Sequence, residues 1–138
     1  MKSETEKRFR GYIFSRPFME ERVPQHVQNI VIRDYCSKQG IQYLLSATEY
    51  AMENSALTLR QLVKDLPSID GIVAYSIFQM PEDDNERQSI FNSVLSLKKE
   101  IHFAVEGLSI FDNETFNHIE NIWKIKKTLP HCESLEIL

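Results

Sequence analysis

Glycine is scarce, with four in 138 residues, and no GxGxxG, P-loop or GxSxG pattern can be read anywhere in the chain. That excludes nucleotide cofactors held by glycine-rich phosphate loops and a serine presented on a nucleophile elbow. Cysteine is nearly absent too: Cys36 and Cys132 stand alone, in no CxxC pair, so reduced thiols rather than a disulfide framework are expected. The four histidines, His26, His102, His118 and His131, show no HxH or HExxH spacing, and no metal or other cofactor is expected. No apolar run approaches the ~18–20 residues that span a bilayer. The first ten residues are charged and lack the apolar segment of a secretory signal, so a cytoplasmic protein is expected. Basic charge is also wanting: 16 Lys and Arg against 20 Asp and Glu give a net charge of -4. That argues against an electrostatic grip on nucleic acid.

What remains is an ordinary globular composition, 42% hydrophobic and 26% charged, long enough to bury roughly 70% of its unfolded surface. Four short apolar runs alternate with amphipathic segments. The runs are Tyr12–Phe14, Gln42–Leu45, Gly71–Tyr75 and Ile101–Val105, near-continuously apolar as in strands covered on both faces. A helix from about Pro24 to Gln39 is expected to bury Val27, Ile30, Val31 and Tyr35. The second uses Leu59, Leu62, Val63 and Leu66. The third opens at Asp83, with Glu86 as capping-box partner, and buries Ile90, Phe91, Val94 and Leu97. The last carries Phe116, Ile119, Ile122 and Trp123. This alternation predicts a single three-layer, doubly wound α/β domain. Its mostly parallel sheet of four or five strands would have the flavodoxin- or resolvase-like order 2-1-3-4(-5). Residues 1–9 are expected to be disordered and 10–138 to form the domain, with Leu135–Leu138 as the fifth strand. A free edge there would support a homodimer.

In such a sheet ligands collect outside the carboxyl ends of the strands, where the strand order reverses. That rule selects Ser15, Arg16 and Arg22 after strand one, Ser46, Thr48, Glu49 and Tyr50 after strand two, Tyr75, Ser76 and Gln79 after strand three, and Glu106 after strand four. Arg16 and Arg22 lead into a helix N-terminus at Pro24-Gln25-His26, a combination suited to phosphate or carboxylate. Ser15 is a candidate nucleophile if His26 or another base approaches it. Glu49 and Glu106 are candidate acid–base carboxylates. Ser15, Tyr75, Ser76 and Gln79 would orient hydroxyl groups. The Pro81-Glu82-Asp83-Asp84 run has a sufficient cause in a helix start.

Five segments, Arg10–Phe18, Arg22–Asn29, Ser46–Met52, Asp70–Ser76 and Gln79–Asp84, together resemble the bacterial sporadic carbohydrate cluster family, over Arg10 to about Phe111. The resemblance implies a place in surface-polysaccharide synthesis (lipopolysaccharide or capsule) and a small sugar ligand, but no particular reaction. It carries two alternatives, an enzyme acting on an activated or acidic sugar and a non-catalytic partner of such an enzyme. The partner reading expects an exposed apolar patch including Phe18, Met19, Met52 and Met80. A weaker likeness is to the serine recombinase catalytic domain: Gly11-Tyr12 followed by Ser15, a helix containing Gln28, and the Lys38-Gln39-Gly40-Ile41 turn are similar to its opening. That family's signature has an arginine between the tyrosine and the serine, where this chain has Ile13-Phe14.

Overall fold

The computed structural model describes residues 7–15, 23–49 and 56–128. Five strands, β1 (Arg8–Phe14), β2 (Gln42–Glu49), β3 (Gly71–Ala74), β4 (Glu100–Phe103) and β5 (Leu108–Ile110), form one sheet in the order 2-1-3-4-5. β1 to β4 are parallel and β5 runs antiparallel to β4. Four helices surround the sheet, α1 (Gln25–Gln39), α2 (Leu57–Lys64), α3 (Asp84–Ser96) and α4 (Asn113–Thr128). Side chains alternate along β1: Phe9 and Ile13 pack with Ile32, Cys36 and Val73 beneath α1. Tyr12 and Phe14 face the larger cluster built with α2, α3 and α4. The three-layer, doubly wound α/β architecture expected from the sequence is therefore the one observed.

Three local expectations are corrected. β1 starts at Arg8, so residues 8 and 9 belong to the sheet and not to a disordered leader; Phe9 is fully buried. Gly11 sits mid-strand because Ser46 Oγ and the Tyr43 ring occupy the space a Cβ would need. β2 does not stop at Leu45 but continues through Glu49, since Ser46 to Glu49 pair with Gly11 to Phe14. The polar Ser46 is at home there: its hydroxyl donates to Asn29 Oδ1 at 2.6 Å and shares a bond with the Tyr43 hydroxyl. Leu108–Ile110, where no strand was expected, forms β5, turned back through Gly107 at φ 68°. Leu135–Leu138, and with it the C-terminal edge expected to support a dimer, lies outside the described residues.

Helix burial follows pairing as much as pattern. α1 buries Gln28, Ile32 and Cys36, a stripe one step away from the expected one, and leaves Ile30 59% exposed. α1 ends where Gly40 takes the left-handed conformation at φ 69°. Leu59 and Leu62 of α2 are fully buried as expected, each stabilising by about 1.5–3 kcal/mol. Asp83 caps α3 by accepting from the Glu86 N–H at 2.8 Å, but the Glu86 carboxylate pairs with Arg60 of α2 instead of returning to the cap. Ile90, Phe91 and Val94 are buried, whereas Leu97, where α3 ends, is exposed.

α3 and α4 are clamped by Arg87, which is 1% exposed. Its guanidinium donates to both Glu120 oxygens, to Asp84 Oδ1 and to the Pro81 and Glu82 carbonyls, so all five N–H groups are used. The Trp123 ring lies 4.6 Å below it. Burial alone would lower the Arg87 pKa, but the bonds to Glu120 and Asp84 carry it above its ordinary value.

Candidate functional site

β1 leads to α1 on one face of the sheet and β3 leads to α3 on the other. Their carboxyl ends, side by side in the sheet, are thus the switch point at which an open crevice is expected. Two buried amides join these strand ends. Gln28 Oε1 accepts the Phe14 N–H at 2.9 Å and Gln28 Nε2 donates to the Phe14 carbonyl at 3.0 Å. A side chain from α1 thereby continues the hydrogen bonding of β1 where the strand ends. Gln28 Nε2 also donates to the Val23 carbonyl at 2.8 Å, and Gln79 Nε2 donates to Gln28 Oε1 at 2.8 Å. Gln79 Oε1 accepts the N–H groups of Tyr75 and Ser76. The two glutamines form one bridge from the end of β1 to the end of β3.

Ser76, Gln79 and Glu106 come together as a second assembly around the 3-10 turn Ile77–Gln79. Ser76 Oγ accepts the Phe78 N–H at 3.2 Å and donates to Glu106 Oε2 at 2.8 Å. Glu106 Oε1 accepts the Ile77 N–H at 3.0 Å. The carboxylate from the β4–β5 connection thus holds the turn that follows β3. Ser76 and Gln79 are buried, whereas Tyr75 is half-buried.

On the opposite flank, Glu49 ends β2 and is 1% exposed. Its Oε1 accepts from the Tyr12 hydroxyl at 2.7 Å and from the Leu59 N–H at 3.2 Å; its Oε2 accepts the Thr58 N–H at 3.1 Å. Lying over the first turn of α2, the carboxylate satisfies orphan amides and faces the positive end of the helix dipole. The Glu49 carbonyl accepts from both the Ser15 N–H, at 2.9 Å, and Ser15 Oγ, at 3.0 Å. Ser15 is half-buried, and among the described residues no base touches its hydroxyl.

Ser15 therefore sits on the Glu49 side of the crevice, and Ser76 and Gln79 on the Glu106 side. Among the described residues the partners of Glu49, Tyr12, Thr58 and Leu59, are not those of Glu106, Ser76 and Ile77; β1 lies between β2 and β3, and β2 and β4 are three strand spacings apart, roughly 14 Å. His26 is exposed in the first turn of α1, without a hydrogen-bond partner among the described residues. Ser46 and Thr48 lie within β2 rather than in a loop after it. Arg16, Arg22 and Tyr50 lie outside the described residues. Of the acidic run, Asp83 caps α3 and Asp84 pairs with Arg87 and Lys127. Among the described residues, no three His, Cys, Asp or Glu side chains converge as metal ligands would. A groove of about 740 Å³ lies elsewhere, between α3 and α4. The charges at its base, Arg87 and Lys127 against Glu120 and Asp84, already neutralise one another.

Gln28 and Arg87 are the two buried polar residues that periodicity did not single out. Both occupy helix positions where an apolar residue would fit the pattern, Gln28 four residues before Ile32 and Arg87 four residues before Phe91. Met80, expected in an exposed patch, is 2% exposed and belongs to the core; Phe18, Met19 and Met52 lie outside the described residues.

No protein-family model matches the chain, and no curated protein matches its sequence. Among solved structures it is similar to the N-terminal catalytic domain of TP901-1 integrase. The TM-score is 0.63 at 13% sequence identity, covering 90% of this chain and 98% of that one. The fold resembles that of this integrase catalytic domain. At this identity the likeness is one of architecture, and function has to be argued from the site. Ile13 and Phe14, which stand between Tyr12 and Ser15, are both buried in the apolar clusters. No described helix is long and apolar enough to cross a membrane.

Proposed function

We propose that the chain binds an anionic sugar derivative (a sugar phosphate, a nucleotide sugar or an acidic sugar) at the carboxyl ends of β1 and β3, in the synthesis of a surface polysaccharide. The observation that carries the binding site is the Gln28–Gln79 bridge. Gln28, which uses all four of its amide hydrogen-bonding positions, and Gln79 fix the strand ends at the switch point and hold rigid the backbone against which a ligand would sit, as a preorganised ligand site requires. The resemblance of Arg10–Phe18 and the segments that follow to the sporadic carbohydrate cluster family supports the sugar and the pathway.

In this reading Arg16 and Arg22 hold the anion, assisted by the first turn of α1, which has no side-chain cap and no acidic residue. Ser15, His26 and Tyr75 contact sugar hydroxyl groups. Glu49 and Glu106 keep Ser15 and Ser76 in place as positioning residues. The geometry favours binding over catalysis, because both carboxylates already cap backbone amides and Ser15 has no neighbouring base among the described residues. A subunit that completes another enzyme's site fits this arrangement better than an enzyme acting alone. DNA-strand chemistry of the integrase kind is disfavoured by the net charge of -4.

A thermal-shift screen against sugar phosphates, nucleotide sugars and keto-acid sugars tests the proposal, with Arg16→Ala and Ser15→Ala alongside. A ligand at about a hundred times its Kd adds roughly 2.7 kcal/mol, which raises the midpoint by several degrees. The expected result is a shift with one class that Arg16→Ala abolishes and Ser15→Ala weakens. No shift with any class, or a shift untouched by both substitutions, would overturn the site.

A further inference from the structure

α3 and α4 lie side by side and antiparallel: Asp84, which opens α3, accepts from Lys127 near the end of α4, and Arg87 bonds Glu120 between them. The groove of about 740 Å³ between the two helices has charges only in matched pairs at its base, Arg87 and Lys127 against Glu120 and Asp84. Its walls are polar and neutral. From α4 come Asn117 and Asn121, four residues apart and so on one face, about 6 Å from each other. Both are exposed, and among the described residues neither side-chain amide has a hydrogen-bond partner. From α3 comes Gln88, whose Nε2 donates to Glu120 Oε1 at 2.9 Å while its oxygen accepts from no described residue. Phe116, half-buried and edge-to-face with Phe91 at 5.8 Å, adds aromatic surface to the lining. Past Gln88 the same chemistry continues over the outer face of α3, where an open hollow of about 530 Å³ is lined by Asn and Ser and by no charged residue. Five of the 13 residues of α3 are Asn or Ser. Both types are weaker helix formers than the Lys, Glu or Arg that an exposed helix face can carry, so this helix gives up both propensity and charge for neutral donors and acceptors.

We infer that the groove between α3 and α4 binds a neutral oligosaccharide. A sugar hydroxyl is donor and acceptor at once, and a side-chain amide answers both roles with its NH₂ and its oxygen. Asn117 and Asn121 on one wall and the Gln88 oxygen on the other offer such groups to successive hydroxyls, while Phe116 supplies apolar surface for the C–H face of a ring. Other occupants match the lining less well. A protein partner calls for aromatic, Met or Arg anchors, and serine is depleted in such interfaces. A nucleic acid or a charged sugar calls for unmatched cations. Of the three basic residues in the lining, Arg87 and Lys127 are paired, and Lys124 alone has no ion pair among the described residues. The groove is separate from the switch point, and the inference does not rest on the anion site there.

Proton–nitrogen correlation spectra of the full chain test this, titrated with neutral tetrasaccharides of glucose, galactose, mannose, rhamnose and N-acetylglucosamine. Each is taken to about 10 mM, enough to load a site whose Kd is near 1 mM. At least one is expected to move the side-chain amide resonances of Asn117, Asn121 and Gln88. Asn117→Ala combined with Asn121→Ala should weaken that binding about tenfold, the loss expected when hydrogen bonds from two amides go. Alanine is the better helix former, so the double variant should melt no lower than the native chain, which circular dichroism checks. Arg16→Ala should leave oligosaccharide binding unchanged, and the double variant should keep any thermal shift produced by an anionic sugar, so the two sites stand or fall separately. No movement of these resonances with any of the five, or equal binding by the double variant, overturns the inference. Tighter binding of a tetragalacturonate than of every neutral tetrasaccharide overturns it as well.

Discussion

Replacing Gln28 by leucine removes the bridge at the switch point while keeping the volume of the side chain. Four hydrogen bonds go with it: those to the Phe14 N–H, the Phe14 carbonyl, the Val23 carbonyl and the Gln79 amide. A buried polar group that loses its bond costs about 1–3 kcal/mol, and the Phe14 N–H and Gln79 Nε2 are the donors affected. With some entry of water the loss should total about 3 kcal/mol, roughly a 10 °C fall in Tm for a domain of this size. Gln28→Glu sharpens the argument. A carboxylate cannot donate, so it would turn an oxygen toward the Phe14 and Val23 carbonyls, and its folded pKa must rise above the unfolded value near ~4.3. A raised carboxyl pKa means that the folded state binds the extra proton. The penalty is therefore full above the folded pKa and fades as the pH falls below it. Urea unfolding followed by the fluorescence of the single, buried Trp123, at pH 8 and pH 5 against the native chain at each pH, reads both effects. A Gln28→Leu loss below about 1 kcal/mol, or a Gln28→Glu penalty independent of pH, would refute the reasoning.

The Arg87 clamp should cost as much to break: Arg87→Met leaves Glu120 half-enclosed without its cation and should cost about 3 kcal/mol by denaturant unfolding, with Arg87→Lys recovering only part because an ammonium lacks the planar fork. Glu100 is held down to about 2, first by the bond from His102 and also by Lys7, against the opposing effect of burial. Its stabilisation is present above the unfolded pKa and lost as the pH falls toward 2, so Glu100→Gln should be less stable at pH 7 and flatten the acid limb of the stability profile. Burial pushes the Cys36 thiol up to about 11; in a Cys132→Ser chain, thiol reagent at pH 8 should label Cys36 only as fast as the protein unfolds. Gly71→Ala places a methyl 2.5 Å from the Glu100 carbonyl oxygen, backbone that cannot swing aside, and should lower stability by about 1–3 kcal/mol in the same assay.

The elements that could be read from residues alone are those whose burial is local. Leu59 and Leu62, Ile90, Phe91 and Val94, and Ile119 with Trp123 recur at helical spacing and are buried where that spacing puts them. At polar positions the departures came where a residue had a partner distant in sequence, and at apolar ones, Ile30, Leu97 and Met80, where the packing of the neighbouring element decided burial. Ser46 and Thr48 look like a turn until Gly11, Ile13 and Asn29 are beside them, and Gln28 looks like the solvent side of α1 until the end of β1 is seen above it.

The strand ends that could form a site were fixed by the sequence, because β–α alternation and right-handed crossovers leave little choice of switch point. Ser15, Ser76, Gln79, Glu49 and Glu106 were all legible in that way. What those side chains do there was decided only by the tertiary structure. The carboxylates cap backbone amides of α2 and of the turn after β3, the glutamines tie one strand end to the next, and a bulge turns Leu45 outward. Apolar periodicity records which face is covered, since burial is non-directional and scales with area. Hydrogen-bond partners are chosen by position and angle within about 3 Å, and those positions exist only when the chain has folded.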